Sequence, residues 1–355
     1  MNVFRQMYRG EQHFDFPKLW RIFLAASALF FVVSVGSLVT RGLNLGIEFE
    51  GGTSWEVVAP DAGVADARAA LKGTDAAAGK IQTVGGDSIR VRASTSEQAK
   101  IDAVTAAMAE LGGVDTTSVS VTTVGPSWGD QITHQARNAL IWFFVIVAAY
   151  ISIRLEWKMA VGAVVAVIHD IIISVGLYSI FQFEVTPATV IAFLTIMGYS
   201  LYDTIVVYDQ VHEISRRLGP SGRYTYTEMM NAALNQVLMR SINTSLTSVL
   251  PVLSMLLIGS VFLGALTLQE FAIALLIGIL VGGYSSISVA SAAVAFLKER
   301  EPAYASIRQR LGDEVRGPTR VISTEDAAAS VVVRRAGVDR TRVGSAPPRP
   351  RKKKR

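Results

Sequence analysis

The chain has 355 residues, half of them hydrophobic, with 34 Lys and Arg against 29 Asp and Glu for a formal net charge of +5. It contains no cysteine, which excludes disulfides, thiolate nucleophiles and cysteine metal sites. With its charge gathered outside long apolar runs, that composition places the chain among membrane proteins.

In chain order, a basic segment 1–18 precedes a first apolar run, Leu19 to Val39, which is about the 20 residues a helix needs to cross a bilayer. The run is about 20 residues long and lacks a clear small-x-small cleavage site before Arg41, so it is expected to be a retained anchor rather than a cleaved signal. The next segment has the pattern of a separate domain. Ser54–Ala59 alternates like a strand, Val64–Leu71 is helical in pattern, and Lys80–Val84 and Ser88–Ala93 form a hairpin across Gly85-Gly86-Asp87. Glu97–Leu111 is again helical and Ser118–Val124 alternates, giving the order βαββαβ and predicting a small α+β, ferredoxin-like domain. No nucleophile, base and orienting group recur together in it, so a binding or spacer role is expected of it rather than catalysis.

Five further apolar runs follow: Ala139 to Ile153, Met159 to Phe181, Val190 to Tyr208, Ile242 to Phe262 and Leu268 to Leu297. The first of these is short and is expected to extend outward past Arg137, whose side chain can snorkel to the interface. Beyond Leu297 hydrophobicity collapses, and sixteen basic residues stand against seven acidic ones up to the closing PPRPRKKKR. This tail is expected to be disordered, with a charge suited to anionic lipid or to the ribosome.

Basic residues set the expected orientation. With the N-terminus inside, 26 of the 34 Lys and Arg fall on inner segments, whereas Arg41 to Ala136 carries seven against twelve acids. The expectation is an α-helical polytopic membrane protein with both termini cytoplasmic. Its parts are a segment 1–18, a first span 19–40, an extracytoplasmic ferredoxin-like domain 41–136, the rest of a six-span bundle 137–297 and a basic tail 298–355.

A carboxylate in hydrocarbon is costly enough to mark function, and Asp203 stands within the fourth run. At about 1.5 Å per residue it lies about 20 Å into a layer of about 30 Å. Arg240, at the entrance to the fifth run, is expected at a similar level and supplies the opposite charge for an ion pair. It also heads a polar stripe with Asn243, Thr244, Thr247 and Ser248 at spacings of three and four. In the third run His169 and Asp170 lie near the membrane centre. Being about 100° apart on the helix, they are expected to address two different neighbours, as relay members or as a supporting polar network. On the sixth run Gly278, Gly282 and Gly283 permit close helix packing. Glu270, near the outer end of that run, is expected to be an interfacial carboxylate. There is no GxxxxGK[ST] loop and the four histidines lack metal-ligand spacing, so neither cofactor nor metal is expected and the chain is not expected to be an enzyme.

Six segments in order carry a family resemblance: LNLGIEFEGGT at Leu43–Thr53, VGPSWGDQI at Val124–Ile132, AVIHDIIIS at Ala166–Ser174, MGYSLYDTIVVYDQV at Met197–Val211, RSINTSLTS at Arg240–Ser248 and GILVGGYSSISVAS at Gly278–Ser291. Together they resemble the SecF family, the smaller subunit of the bacterial SecDF translocation factor in the resistance-nodulation-division superfamily. The resemblance implies a plasma-membrane protein that pairs with a SecD-like subunit beside the SecYEG channel and uses the proton-motive force to draw preproteins outward. Nothing in it implies DNA. It assigns proton conduction to Asp203 and Arg240, with Ser200 in the same segment as Asp203. Tyr202 departs from the family's usual Asn, Glu48 from its Asp, and Gln210 and His212 from basic positions. A proton-coupled exporter of lipids or small molecules, and a purely structural assembly subunit, are the competing readings.

Overall fold

A computed structural model describes residues 13–84, 86–154, 156–262, 265–312 and 322. Among these, six helical spans are long and apolar enough to cross a membrane. The first is α1 (Phe16–Arg41), followed by a short strand β1 (Asn44–Leu45) and a single helical turn α2 (Ile47–Glu50). Next come β2 (Gly52–Val58), α3 (Val64–Ala70), β3 (Lys80–Val84), β4 (Ser88–Ala93), α4 (Gln98–Gly112) and β5 (Ser120–Val124). The four strands pair antiparallel in the order β3-β4-β2-β5, with Trp55 of β2 opposite Val91 and Val121.

Alternation along β2 and β4 turns Trp55, Val57, Ile89 and Val91 to one face, where Ile101, Val104 and Met108 of α4 cover them. The buried indole Nε1 of Trp55 donates to Thr105 Oγ1 at 3.0 Å, so the largest side chain of this core leaves no polar atom unpaired.

The remaining spans are α5 (Pro126–Arg154), α6 (Trp157–Phe181), α7 (Pro187–Leu218), α8 (Tyr226–Ser254) and α9 (Leu266–Ser285). Between α6 and α7, β6 (Glu184–Val185) pairs parallel with β1 and ties the entry of the sheet unit to the bundle. The helix starts follow local chemistry. Thr186 caps α7 with Pro187 in its first turn, and Thr225 with Glu228 forms a capping box that starts α8 well before the apolar run at Ile242. Two spans contain π-helix. One segment, Met255–Phe262, follows Pro251 of α8, and the other, Ser286–Ala290, joins α9 to α10 (Ser291–Glu299).

The structure departs from expectation at several ends. The α7 helix continues ten residues past Tyr208 and the sixth span is interrupted by its π segment, whereas α5 extends outward past Arg137 as expected. The region expected to be disordered from 298 onward includes the end of α10 and a further helix, α11 (Pro302–Leu311). It docks through Tyr304 against Tyr226, with ring centroids 5.3 Å apart. Beyond Gly312 the basic tail, Ile322 excepted, lies outside the described residues.

Candidate functional site

The polar residues of the bundle gather on α6, α7, α8 and the π segment rather than on any one pair of helices. Small residues permit this. A Cβ at Gly278 would lie 2.2 Å from Ile196 Cγ2 and one at Gly282 2.8 Å from Ser200 Cβ, so α9 approaches α7 closely, while one at Gly283 would lie 3.0 Å from Ser245 Oγ of α8. The sequence places Ser285 and Ser286 just past these glycines, after Tyr284, and the close approach brings them onto two carboxylates.

Asp203 is buried and accepts hydrogen bonds at 3.1 Å from Ser241 Oγ of α8 and at 3.1 Å from Ser286 Oγ of the π segment. The expected ion pair with Arg240 is absent. Arg240 is exposed, and its Nη2 donates instead to the Tyr202 hydroxyl at 3.2 Å. The two helices meet at the level expected, but Ser241, the next residue, points at the carboxylate. A turn of helix separates neighbours by about 100°, so one position decides which side chain faces inward.

Asp170 forms the second centre. Its Oδ2 accepts from Ser200 at 2.5 Å and from Ser285 at 2.8 Å, and its Oδ1 lies 3.1 Å from His169 Nδ1. The expectation that His169 and Asp170 address separate neighbours is therefore corrected: their side chains contact each other, one carboxylate oxygen meeting the imidazole while the other takes the two serines. His169 Nε2 is buried with no hydrogen-bond partner among the described residues. The two centres are joined through adjacent residues, Ser285 serving Asp170 and Ser286 serving Asp203.

The π segment offers backbone acceptors as well. Trp20 Nε1 donates to Ile287 O at 3.3 Å and the buried Tyr208 hydroxyl donates to Ala290 O at 3.0 Å. A wider helical turn frees carbonyls from the i→i−4 ladder, and side chains of α1 and α7 take them up. Beside Asp203 lies a crevice of about 30 Å³, bordered by Tyr202, Thr244, Ser245 and Ser248, with room for about one water.

The α8 stripe does not face this cluster in full. Asn243 and Thr247 are exposed, and Thr244 and Thr247 donate to their own helix at Arg240 O and Asn243 O, at 2.8 and 2.9 Å. With Arg240, they form a polar face directed out of this chain.

A second cluster lies at the sheet-bearing end of the bundle and had no signal in helical periodicity. Arg90 of β4 donates to Glu56 of β2 at 3.2 Å, to Glu184 of β6 at 3.2 Å and to Glu270 of α9 at 3.3 Å. Arg92 pairs with Glu184 at 2.8 Å and donates to Leu45 O and Asn44 Oδ1 at 3.0 and 3.2 Å. Burial alone would lower the pKa of Arg90, and Glu184, Glu56 and Glu270 more than offset it. Glu270 is thus part of an ion cluster that joins sheet to bundle. Alternation along β4 puts both arginines two apart on one face, the one hint the sequence held.

Residues 103–300 match the family profile described as protein export membrane protein SecD/SecF, C-terminal, and residues 36–57 match the SecD/SecF GG motif. The chain belongs to the SecD/SecF family. It is 38% identical over 325 residues to the protein translocase subunit SecF of Streptomyces coelicolor, covering 91% of this chain and 87% of that one. The SecF subunit of Mycobacterium tuberculosis strain CDC 1551 is 39% identical over 306 residues, covering 83% of this chain and 69% of that one. The crystal structure of SecDF from Thermus thermophilus, described as a translocon-associated membrane protein, superposes with a TM-score of 0.73 at 33% identity. That match covers 82% of this chain and 39% of the SecDF chain, so the SecF-like fold here corresponds to a part of the larger one. With six apolar spans, this SecD/SecF family member is a multi-pass membrane protein.

Proposed function

We propose that this chain is a SecF subunit of an accessory complex in Sec-dependent protein export, driven by the proton-motive force across the bacterial plasma membrane. The observation that carries the proposal is Asp203, a buried carboxylate within a membrane span held by two neutral hydroxyls while the nearest arginine on α8 is parked on Tyr202. Arg240 is free to exchange Tyr202 for Asp203. Protonation would remove the attraction between them, and deprotonation would restore it, so the pair forms two states biased by one proton. A proton crossing about 100 mV supplies about 2.3 kcal/mol, enough to shift such an equilibrium about fiftyfold.

Asp170, Ser200 and His169 would serve as a second acceptor, connected to the first through Ser285 and Ser286. The junction of α9 with the π segment is the element expected to repack, because both carboxylates depend on its adjacent serines, Ser285 and Ser286. Asn243, Thr244, Thr247 and Arg240 would meet a SecD-like subunit, whose own carboxylate completes the pathway.

The βαββαβ order and β3-β4-β2-β5 arrangement of the sheet unit support the reading of a ferredoxin-like domain, which would lie on the extracytoplasmic side with both termini cytoplasmic. The Arg90 cluster would pass bundle rearrangement to this domain, which touches the emerging preprotein beside the SecYEG channel. The basic tail would lie at the inner surface, against anionic lipid or the ribosome. This role is transport rather than catalysis.

Affinity purification of the full chain from gently solubilised membranes tests the assignment. A SecD-like six-span partner together with the translocation channel is the expected company, and recovery of lipid-export components in their place contradicts it.

A further inference from the structure

An apolar cavity of about 360 Å³ lies at the sheet-bearing end between α5, α6 and α7, apart from the Asp203 crevice. Its walls include Leu45, Phe49, Leu140, Val175, Phe193 and Met197. Of the polar groups on its surface, which include Ser174 and the rim residue Arg137, three are already engaged. Thr133 Oγ1 donates to Gly129 O at 2.9 Å and the Tyr178 hydroxyl to Glu270 O at 3.3 Å. Asp170, at its inner end, has both oxygens turned to His169, Ser200 and Ser285. A cavity so lined gives water few partners, and it has the volume of a small-ligand pocket.

Its rim carries a charge. Arg137 borders the cavity, is exposed, and has a histidine rather than a carboxylate as its side-chain partner, with Nη2 2.8 Å from His134 Nδ1. Around it, α5 presents Ile141, Trp142 and Val145 outward, each more than half exposed. In a chain of six apolar spans, that surface faces lipid tails. An apolar slot with one basic residue at its mouth, opening on a bilayer-facing helix, complements an amphiphile with one anionic head and a hydrocarbon tail.

We propose that this cavity holds one acyl chain of an anionic glycerophospholipid, whose phosphate rests on Arg137. The chain fills space that water leaves dry and closes the bundle between the bilayer and Asp170. The headgroup contact sets the preference for a negative lipid, since one interfacial basic residue favours an anionic head by about fivefold, or about 1 kcal/mol.

Native mass spectrometry of the full chain, exchanged into neutral detergent with equal phosphatidylglycerol and phosphatidylcholine, tests this. The expected result is one retained lipid with about a fivefold excess of phosphatidylglycerol. Arg137→Gln should bring that ratio to about one, and Val175→Trp should abolish retention of either lipid. Equal binding of the two lipids by the native chain, no change in Arg137→Gln, or a hydrophobic peptide recovered in place of lipid overturns the proposal. Because Val175→Trp also perturbs packing, phosphatidylglycerol with a photoreactive diazirine on its acyl chain is applied to the native chain in phosphatidylcholine vesicles. Adducts on Phe193 or Val175 support the site, and adducts confined to the outward faces of α1 and α5 overturn it.

Discussion

Replacing Arg90 with Ala should loosen the sheet unit from the helical bundle without unfolding either. Arg90 is the common partner of Glu56, Glu184 and Glu270, whose side chains are 28%, 9% and 18% exposed. Its loss leaves Glu184 with Arg92, and strips Glu56 and Glu270 of their counterion. Breaking a fully buried pair costs about 3–5 kcal/mol and an exposed one about 0–1 kcal/mol. At these intermediate exposures about 2 kcal/mol is expected, or about a thirtyfold rise in the population of the detached unit. Hydrogen exchange reads this directly. The Gly46 amide, bonded to Val185 O at 2.9 Å, and the β1–β6 pair should lose protection by about that factor, while the strands around Trp55 keep theirs. Uniform loss across the sheet would mean that Arg90 stabilises the β unit itself, and unchanged protection at Gly46 would mean that the cluster bears no docking load. Either result refutes the coupling role.

Gly282→Val should separate α9 from α7 and cost about 1–3 kcal/mol, seen as a lowered thermal midpoint, because its Cβ would already lie 2.8 Å from Ser200 Cβ before the two methyl groups are added. Ser286→Ala removes one of the two hydroxyl donors of Asp203, and should cost about 1–3 kcal/mol in the native background but clearly less in an Asp203→Ala background, a non-additivity that a double-mutant thermal-unfolding cycle measures. At the other end of the bundle, burial alone would raise the pKa of Glu301, and Lys158 and Lys298 hold it below its ordinary value of 4.5. Its contribution to docking α11 should therefore be full above pH 4.5 and fade as pH falls through its lowered value, and Glu301→Gln should abolish that dependence in proteolysis of the α10–α11 link.

The spans were legible because long apolar runs permit few alternatives, and strands β3 and β4 because alternation beside Gly86-Asp87 marks a hairpin. Helix ends were less so. The start of α8 is set by Thr225 and Glu228, three residues apart, whose capping box lies well ahead of the apolar run that marks the span in the sequence. Asp203 was legible as an anomaly of polarity, but its partners were not. Ser241 and Ser286 resemble ordinary small packing residues in sequence, and only the wider turn at Ser286–Ala290 aims the second of them. Arg90 and Glu270 lie 180 positions apart, a pairing that depends on the docking of β4 against α9 and that no local pattern encodes. Tyr202 stood out as a departure from the family pattern, and it is the residue that holds Arg240.

The most direct test of Asp203 as the proton site is the release of a preprotein from sealed membrane vesicles carrying either the native chain or Asp203→Asn, with and without an imposed proton gradient. Asn keeps the size and one of the two acceptor oxygens, and its amide NH2 can donate to the other serine hydroxyl, but it takes no proton in this range. The native chain should release preprotein faster when the gradient is imposed, and Asp203→Asn, still co-purifying with its partner, should release it at the gradient-free rate. Gradient-stimulated release by a properly assembled Asp203→Asn complex would contradict the account.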